Sequence, residues 1–276
     1  MQVRYASNPQ DFKHFDTERL RNEFLCQNLM QPNELNLVYS HYDRFIIGCA
    51  MPLEKNISLP TYPELRAEYF LERREIGIIN TGGAGIVAAD GKEYKIENKC
   101  ALYIGKGTKE VVFKSADAKK PAKYFVASAP AHKEYPVQMF SLAEAEPFHT
   151  GAAETANKRT VYKLIHEKGI QSCQLVMGLT MFEPGSIWNT MPPHVHDRRM
   201  EAYFYFDLPE TAKVMHFMGQ AQESRHLVVG NDEAIISPPW SMHFGVGTAS
   251  YSFIWCMCGE NKDYTDMDLV LLKDLK

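Results

Sequence analysis

Apolar residues in this chain fall into short runs of strand length, each closed by Gly, Pro, Asp or Asn. "GIVAADGKEYKIEN" holds two such runs joined by Asp90-Gly91, a pair suited to the positive φ of a tight hairpin turn. "QSCQLVMGLTMF" reads as a further strand, closed by Glu183-Pro184-Gly185-Ser186, where Pro followed by Gly fits a type II turn. "EAYFYFDL", "AKVMHFMG", "SRHLVVG", "DEAIISPP", "HFGVGTASYSFIWCMCGE" and "MDLVLL" continue the rhythm to the C-terminus. Helix signals are few. "FDTERLRNEFLCQNLM" predicts one short helix, with Asp16 or Thr17 as N-cap and Leu20 and Phe24 on one face.

Many short strands without alternating helices predict an antiparallel sandwich or barrel, and they argue against a parallel α/β sheet. The rhythm occurs twice, before and after "AEAEPFHTGAAETANKRTVYKLIHEKG", a stretch richer in Ala, Glu and Thr. The expected architecture is therefore mainly β, with two β-barrels in tandem. It divides as an N-terminal extension containing the helix (1–75), a first barrel (76–142), a linker (143–169) and a second barrel (170–276).

Composition narrows the function classes. A hydrophobic fraction of 45% and a charged fraction of 23% over 276 residues are ordinary for a soluble protein with a real core. The net charge of −4 comes from 30 basic and 34 acidic residues spread along the chain, without the basic stripe that nucleic acid requires. A small anionic substrate stays open, because one local Arg or Lys cluster can hold it. No run approaches the ~20 apolar residues that span a bilayer, and the first residues lack the apolar core of a signal peptide. The six cysteines show no framework spacing, so the expected compartment is the cytoplasm, with reduced thiols. "CMC" at Cys256 and Cys258 reads as buried core rather than a metal site.

The chemistry concentrates in "MPPHVHDRRMEAYFYFDLPE". Residues two apart on a strand share a face, so His194 and His196 project together and both imidazoles can meet one cation. Glu201 has the wrong parity for a single continuous strand. A reversal at "DRRM" lets it head the next strand and face the same interior, and Pro192 and Pro193 suit the start of the strand that carries the histidines. "SPPWSMHFGVG" supplies His243 from a distant strand after a Pro-rich turn. Three His and one Glu suit zinc, manganese, iron, cobalt or nickel. His216 and His226 read as packing residues, and His14, His41, His132, His149 and His166 have no partner at ligand spacing. The "NTGGAG" stretch precedes a hairpin rather than a helix, which argues against a phosphate-binding loop.

HxH, four residues, Glu, then a distant His resembles the two-part metal motif of the cupin superfamily. It departs from the usual pattern in three places. Eight residues separate Gly185 from His194 where five are usual, Trp240 replaces a glycine, and Gly247 replaces an asparagine. Longer strings are more specific. "GIINTGGAGIVAADGK", "LYIGKGTKEVVF", "SAPAHK", "PPHVHDRRMEAYFYFDLP" and "PPWSMHFGVGTASYSFIWCMCGEN" resemble the 5-keto-4-deoxyuronate isomerase family, over essentially the whole chain. The resemblance implies a two-cupin (bicupin) enzyme of pectin breakdown, hexameric, with one zinc per subunit held by His194, His196, Glu201 and His243. It implies conversion of 5-dehydro-4-deoxy-D-glucuronate to 3-deoxy-D-glycero-2,5-hexodiulosonate. Where a second cupin motif would fall in the first half, "YIGKGTKEVVF" offers Lys106 and Lys109 and no histidine, so the first barrel is expected to lack a metal site.

Glu201, as a ligand, is not cast as the catalytic base, and no base is assigned. Arg198 and Arg199, at the turn beside the ligands, suit the substrate carboxylate because a guanidinium pairs with it bidentately. Tyr203 and Tyr205 share the face of Glu201 and are candidates to line the pocket. Two alternatives stand beside this reading. An iron-dependent cupin dioxygenase would use the same ligands and consume oxygen. A non-catalytic sugar-binding cupin, as a regulator, would need a DNA-binding domain, for which the sequence has no helix-turn-helix pattern.

Overall fold

The computed structural model describes residues 1–259 and 265–276, and the chain folds into two barrels of closely similar plan. In the first, a seven-stranded sheet runs in the order Gln2–Arg4, Leu35–Ser40, Ile46–Ala50, Tyr124–Pro130, Arg74–Asn80, Ala101–Ile104, Gln138–Phe140. A four-stranded sheet faces it, in the order Ile57–Ser58, Val111–Ser115, Gly85–Ala89, Lys92–Ile96. In the second barrel the large sheet runs Pro147–Thr150, Arg159–Ile165, Val176–Phe182, Ser252–Gly259, Arg199–Phe206, Glu233–Ser237, Leu25–Cys26. Its partner sheet runs Glu223–Val229, Val214–Gln220, Met242–Gly247, Trp188–Val195, Asp268–Leu269. Pairing is antiparallel except where Gln2–Arg4 runs parallel to Leu35–Ser40. The expected mainly-β tandem architecture is what forms. Glu260 and Asn261, the last residues of the quoted C-terminal strand strings, lie outside the described residues.

Local chemistry sets the turns as the sequence predicts. Asp90 and Gly91 take φ of 45° and 80°, the double positive φ of a type I′ hairpin. Gly185 takes φ 86° and the Ser186 amide bonds the Glu183 carbonyl at 3.0 Å, closing the predicted turn. The helix runs Thr17–Phe24, with the Asp16 carboxylate accepting the Arg19 amide at 2.8 Å and Leu20 and Phe24 buried.

Three cores explain the burial. Ile76, Ile78, Val87, Leu102 and Phe113 fill the first barrel, which leaves its interior apolar where the second barrel places histidines. Tyr203, Val214, Leu227, Phe253 and Trp255 line the interior of the second. Between them the two large sheets pack back to back, with Phe125 of one barrel stacked on Phe204 of the other at 4.7 Å between ring centroids. Strand Arg199–Phe206 is therefore buried on both faces, with Glu201, Tyr203 and Tyr205 turned inward and Ala202, Phe204 and Phe206 turned to the other barrel. That is why "EAYFYFDL" reads as an unbroken apolar run. Cys256 and Cys258 lie in the same inter-barrel core, as expected for the "CMC" string.

Two expected boundaries need correction. Residues 1–75 are not an extension outside the barrels, because Leu35–Ser40 and Ile46–Ala50 are interior strands of the first large sheet. Leu25–Cys26 meanwhile adds to the edge of the second. The stretch 143–169 is not a linker either, since Arg159–Ile165 pairs with Val176–Phe182 along its length. Both errors have one cause: pairing partners lie far away in sequence, and local composition carries no trace of them.

Candidate metal centre

Three strand ends bring the candidate ligands to one point. His194, near the end of Trp188–Val195, stands directly opposite His243 of Met242–Gly247 in the pairing register. Antiparallel partners in register share a face with Cβ atoms about 5 Å apart, so the two imidazoles meet without further help. A wide irregularity precedes them, because five steps from Asn189 to His194 match only two from Gly245 to His243. Pro192 and Pro193 sit inside this irregularity rather than at the start of the strand. The ladder is already broken there, so their missing N–H groups cost nothing.

His196 follows the strand end, and the Arg199 amide bonds its carbonyl at 3.1 Å to close the reversal. The chain then enters Arg199–Phe206, which belongs to the opposite sheet and does not pair with the strand it left. Glu201 therefore reaches the cluster from across the barrel. The parity problem in the sequence is solved by this change of sheet.

The geometry fits a metal ion. Tetrahedral ligation at ~2.0–2.1 Å sets neighbouring donors about 3.3 Å apart. Glu201 Oε2 lies 2.9 Å from His243 Nε2 and 3.0 Å from His196 Nε2. His194 Nε2 lies 3.1 Å from His196 Nε2 and 3.3 Å from His243 Nε2. All four donors fall within 4.8 Å of one another, and His196, Glu201 and His243 are buried. Three imidazole nitrogens aimed at each other share too few protons to satisfy themselves, whereas a cation among them satisfies all. Two of the outer nitrogens have protein neighbours that orient the rings: His243 Nδ1 lies 3.3 Å from Ser237 Oγ and His194 Nδ1 3.5 Å from the Pro192 carbonyl.

Protonation states suit ligation. Burial first, and the neighbouring His243 second, push His194 down to about 3. Burial works to raise the Glu201 carboxyl, but His243 and His196 outweigh it and hold the group well below the usual carboxylate range. Behind the cluster, burial pushes His216 down to about 3, and its Nδ1 lies 2.7 Å from the Tyr205 hydroxyl. His216 thus packs and hydrogen-bonds, as its sequence context predicts.

A pH dependence follows. His194 and His216 are neutral when folded and take up protons on unfolding at any pH between about 3 and their ordinary 6.5. In that window the unfolded chain binds more protons, so stability falls as pH falls, by up to about 1.4 kcal/mol per pH unit for each histidine. Thermal unfolding of chelator-treated protein is expected to move steadily lower from about pH 6.5 towards pH 5. A midpoint flat across that range contradicts neutral buried histidines.

A cavity of about 220 Å³ opens onto the cluster. His194, His196 and Glu201 lie at one side, with Tyr203, Thr190, Thr180, Phe253 and Trp255 on its walls. Tyr203 lines the cavity as its parity suggests, with its hydroxyl 3.1 Å from Thr190 Oγ1. Tyr205 faces the same interior but is fully buried against His216 and Asn189, and does not line the cavity. Arg198 and Arg199 do not line it either. Arg199 is buried and bonds Asp266 at 2.5 Å, and Arg198 is half-exposed and bonds the other oxygen of that carboxylate at 3.1 Å. Adjacency in sequence to the ligands thus places both arginines behind the site. Lys106 and Lys109 of the first barrel are also absent from the lining. The cations that do line the cavity are Arg159 and Lys163, on the strand that the sequence presents as linker. The alternation of Arg159, Val161 and Lys163 in "RTVYKLI" was their available signal.

Comparison with known proteins now decides the family. Residues 29–271 match the KduI/IolB family. The chain belongs to that family. It is 51% identical over its whole length to the complete 4-deoxy-L-threo-5-hexosulose-uronate ketol-isomerase of Halalkalibacterium halodurans. A protein of the same name from Formosa agariphila is 53% identical, over 99% of this chain and 98% of that one. The chain is accordingly an enzyme of the ketol-isomerase class. Among solved structures, an IolB-like protein from Salmonella typhimurium covers 90% of this chain and 96% of its own, with a TM-score of 0.73 at 16% identity. That likeness bears on the fold alone. Among the described residues no helix is long and apolar enough to cross a membrane.

Proposed function

We propose that this chain is a zinc-dependent ketol-isomerase that converts 5-dehydro-4-deoxy-D-glucuronate to 3-deoxy-D-glycero-2,5-hexodiulosonate in the breakdown of pectin-derived uronates. The observation that carries the reading is the convergence of His194, His196, Glu201 and His243 on one point that opens into a small cavity. Identity of about half over the full length to relatives named for this activity supports the substrate.

The reaction moves a proton between neighbouring carbons as an aldehyde and its adjacent hydroxyl become a hydroxyl and a ketone. His194, His196, Glu201 and His243 would hold a divalent ion, which would supply Lewis acidity for this chemistry. The chain's own groups bind and shield the reacting end. Tyr203 and Thr190, on the cavity wall, present hydroxyls that hydrogen-bond the reacting end of the substrate. Phe253, Trp255 and Val161 exclude water from the face on which the proton moves. Glu201, tied to His196 and His243, stays with the ligand set and does not serve as base.

The reading extends to a cytoplasmic homo-oligomer, a hexamer by the family resemblance, with a small uronate and no nucleic acid or membrane as partner. Six buried, unbridged cysteines support a reducing compartment. Purified protein loaded with zinc is expected to isomerise the uronate; loaded protein that leaves it unchanged overturns the proposal.

A further inference from the structure

The isomerase reading leaves the far end of the substrate unexplained. The acid carries a carboxylate remote from the reacting carbonyl, and burying a carboxylate without a partner is costly. Arg198 and Arg199 are committed to Asp266 and stand outside the cavity. We propose that the cationic wall formed by Lys163 and Arg159 is the carboxylate subsite, with Lys163 as its main contact and Arg159 as a second. The proposal rests on the isomerase reading and adds to it the residues that select an acid.

Placement carries the argument. Arg159, Val161 and Lys163 are alternate residues of one strand, and all three face the cavity. No other Lys or Arg among the described residues lines it, and the one carboxylate that does, Glu201, is tied to the histidines. Lys163 stands opposite Gly178, Gly178 opposite Trp255, and Trp255 opposite Tyr203 in the pairing registers. One cross-strand row therefore links the lysine to the tyrosine beside the ligand cluster. Three strand spacings separate their backbones, roughly 14 Å along the sheet, and two long side chains reach inward across that row.

Gly178 is what makes the row passable. A Cβ there would lie 2.3 Å from the Trp255 ring, so the missing side chain lets the indole pack against the strand between the two polar ends. The result is an apolar floor with hydroxyls and the ligand cluster at one end and an ammonium at the other. That pattern matches a short acid that is polar at both ends. Arg159 sits four residues before Lys163 on the strand, opposite Thr150, and its Nη1 donates to the Asn157 carbonyl at 2.8 Å.

The test compares two substrates on zinc-loaded protein: the uronate, and the same chain with a primary alcohol in place of the carboxylate. Wild-type protein is expected to favour the acid by about ten- to a hundred-fold in kcat/KM, the scale of one hydrogen bond to a charged group. Lys163→Met should erase most of that preference while zinc content stays unchanged, and Lys163→Arg should restore part of it. Arg159→Gln should reduce the preference by a smaller factor. If Lys163→Met and Arg159→Gln keep the wild-type preference, the subsite is elsewhere and the proposal falls. Equal loss on both substrates also overturns it, because a merely structural role gives that result. If wild-type protein converts neither substrate, the isomerase reading fails separately, and calorimetric titration with D-glucuronate and D-glucose decides the subsite. Tighter binding of the acid that vanishes in Lys163→Met upholds it; no preference for the acid overturns it.

Discussion

His243→Ala is expected to give a folded protein that has lost most of its bound metal and nearly all of its activity. His243 is buried, stands opposite His194 in register, and brings its Nε2 to 2.9 Å from Glu201. Removing it leaves three donors and an unfilled space where the imidazole stood. The loss of affinity should exceed the roughly ten- to hundred-fold seen when only an outer partner of a ligand is removed. Lewis-acid stabilisation worth several kcal/mol goes with the metal, so turnover should fall on the order of a thousand-fold or more. The fold survives because the second barrel's interior is held by Val214, Leu227, Phe253 and Trp255, none of them a ligand. Metal analysis after dialysis, beside a thermal melt, reads both parts. Full metal occupancy in the variant contradicts the ligand assignment.

Phe204→Ala is expected to produce the largest loss of stability, about 3–5 kcal/mol, the usual cost of truncating a buried Phe. Phe204 is fully buried and stacks on Phe125 at 4.7 Å with planes 23° apart, in the core shared by the two large sheets. Its side chain points away from Glu201 and Tyr203, on the opposite face of the same strand. Metal content should therefore stay at the wild-type level while the denaturation midpoint drops. A cost within about 0.5 kcal/mol, the range of surface substitutions, contradicts a common core that joins the barrels.

The contrast between those two variants shows what the sequence made readable. Local chemistry was legible. Asp90-Gly91, Pro184-Gly185 and the Asp16 cap act within a few residues, and each forms the expected turn or helix start. The grouping of His194, His196, Glu201 and His243 was legible too, because HxH on a strand and a glutamate after a reversal leave few geometries that bury all the polar groups. Non-local pairing was not. Ile46–Ala50 pairs with Tyr124–Pro130, and nothing in "IIGCA" names a partner that distant. The arginines failed for a related reason. Their neighbour in space, Asp266, lies 67 residues beyond Arg199 and takes both guanidinium groups away from the cavity. Lys163 was hidden by composition, since Ala, Thr and Glu around "RTVYKLI" mask a strand whose alternation is regular. Alternation puts Tyr203 and Tyr205 on one face but carries no depth, and only Tyr203 lines the cavity while Tyr205 lies buried against His216 and Asn189.

The measurement closest to the central claim is a nuclear magnetic resonance time course of zinc-loaded protein with 5-dehydro-4-deoxy-D-glucuronate, run without oxygen. Isomerisation at the histidine–glutamate site predicts loss of the aldehyde signal, matching growth of a hydroxymethyl ketone, and arrest of both on adding a chelator. An unchanged aldehyde, or a conversion that proceeds only when oxygen is admitted, contradicts the account.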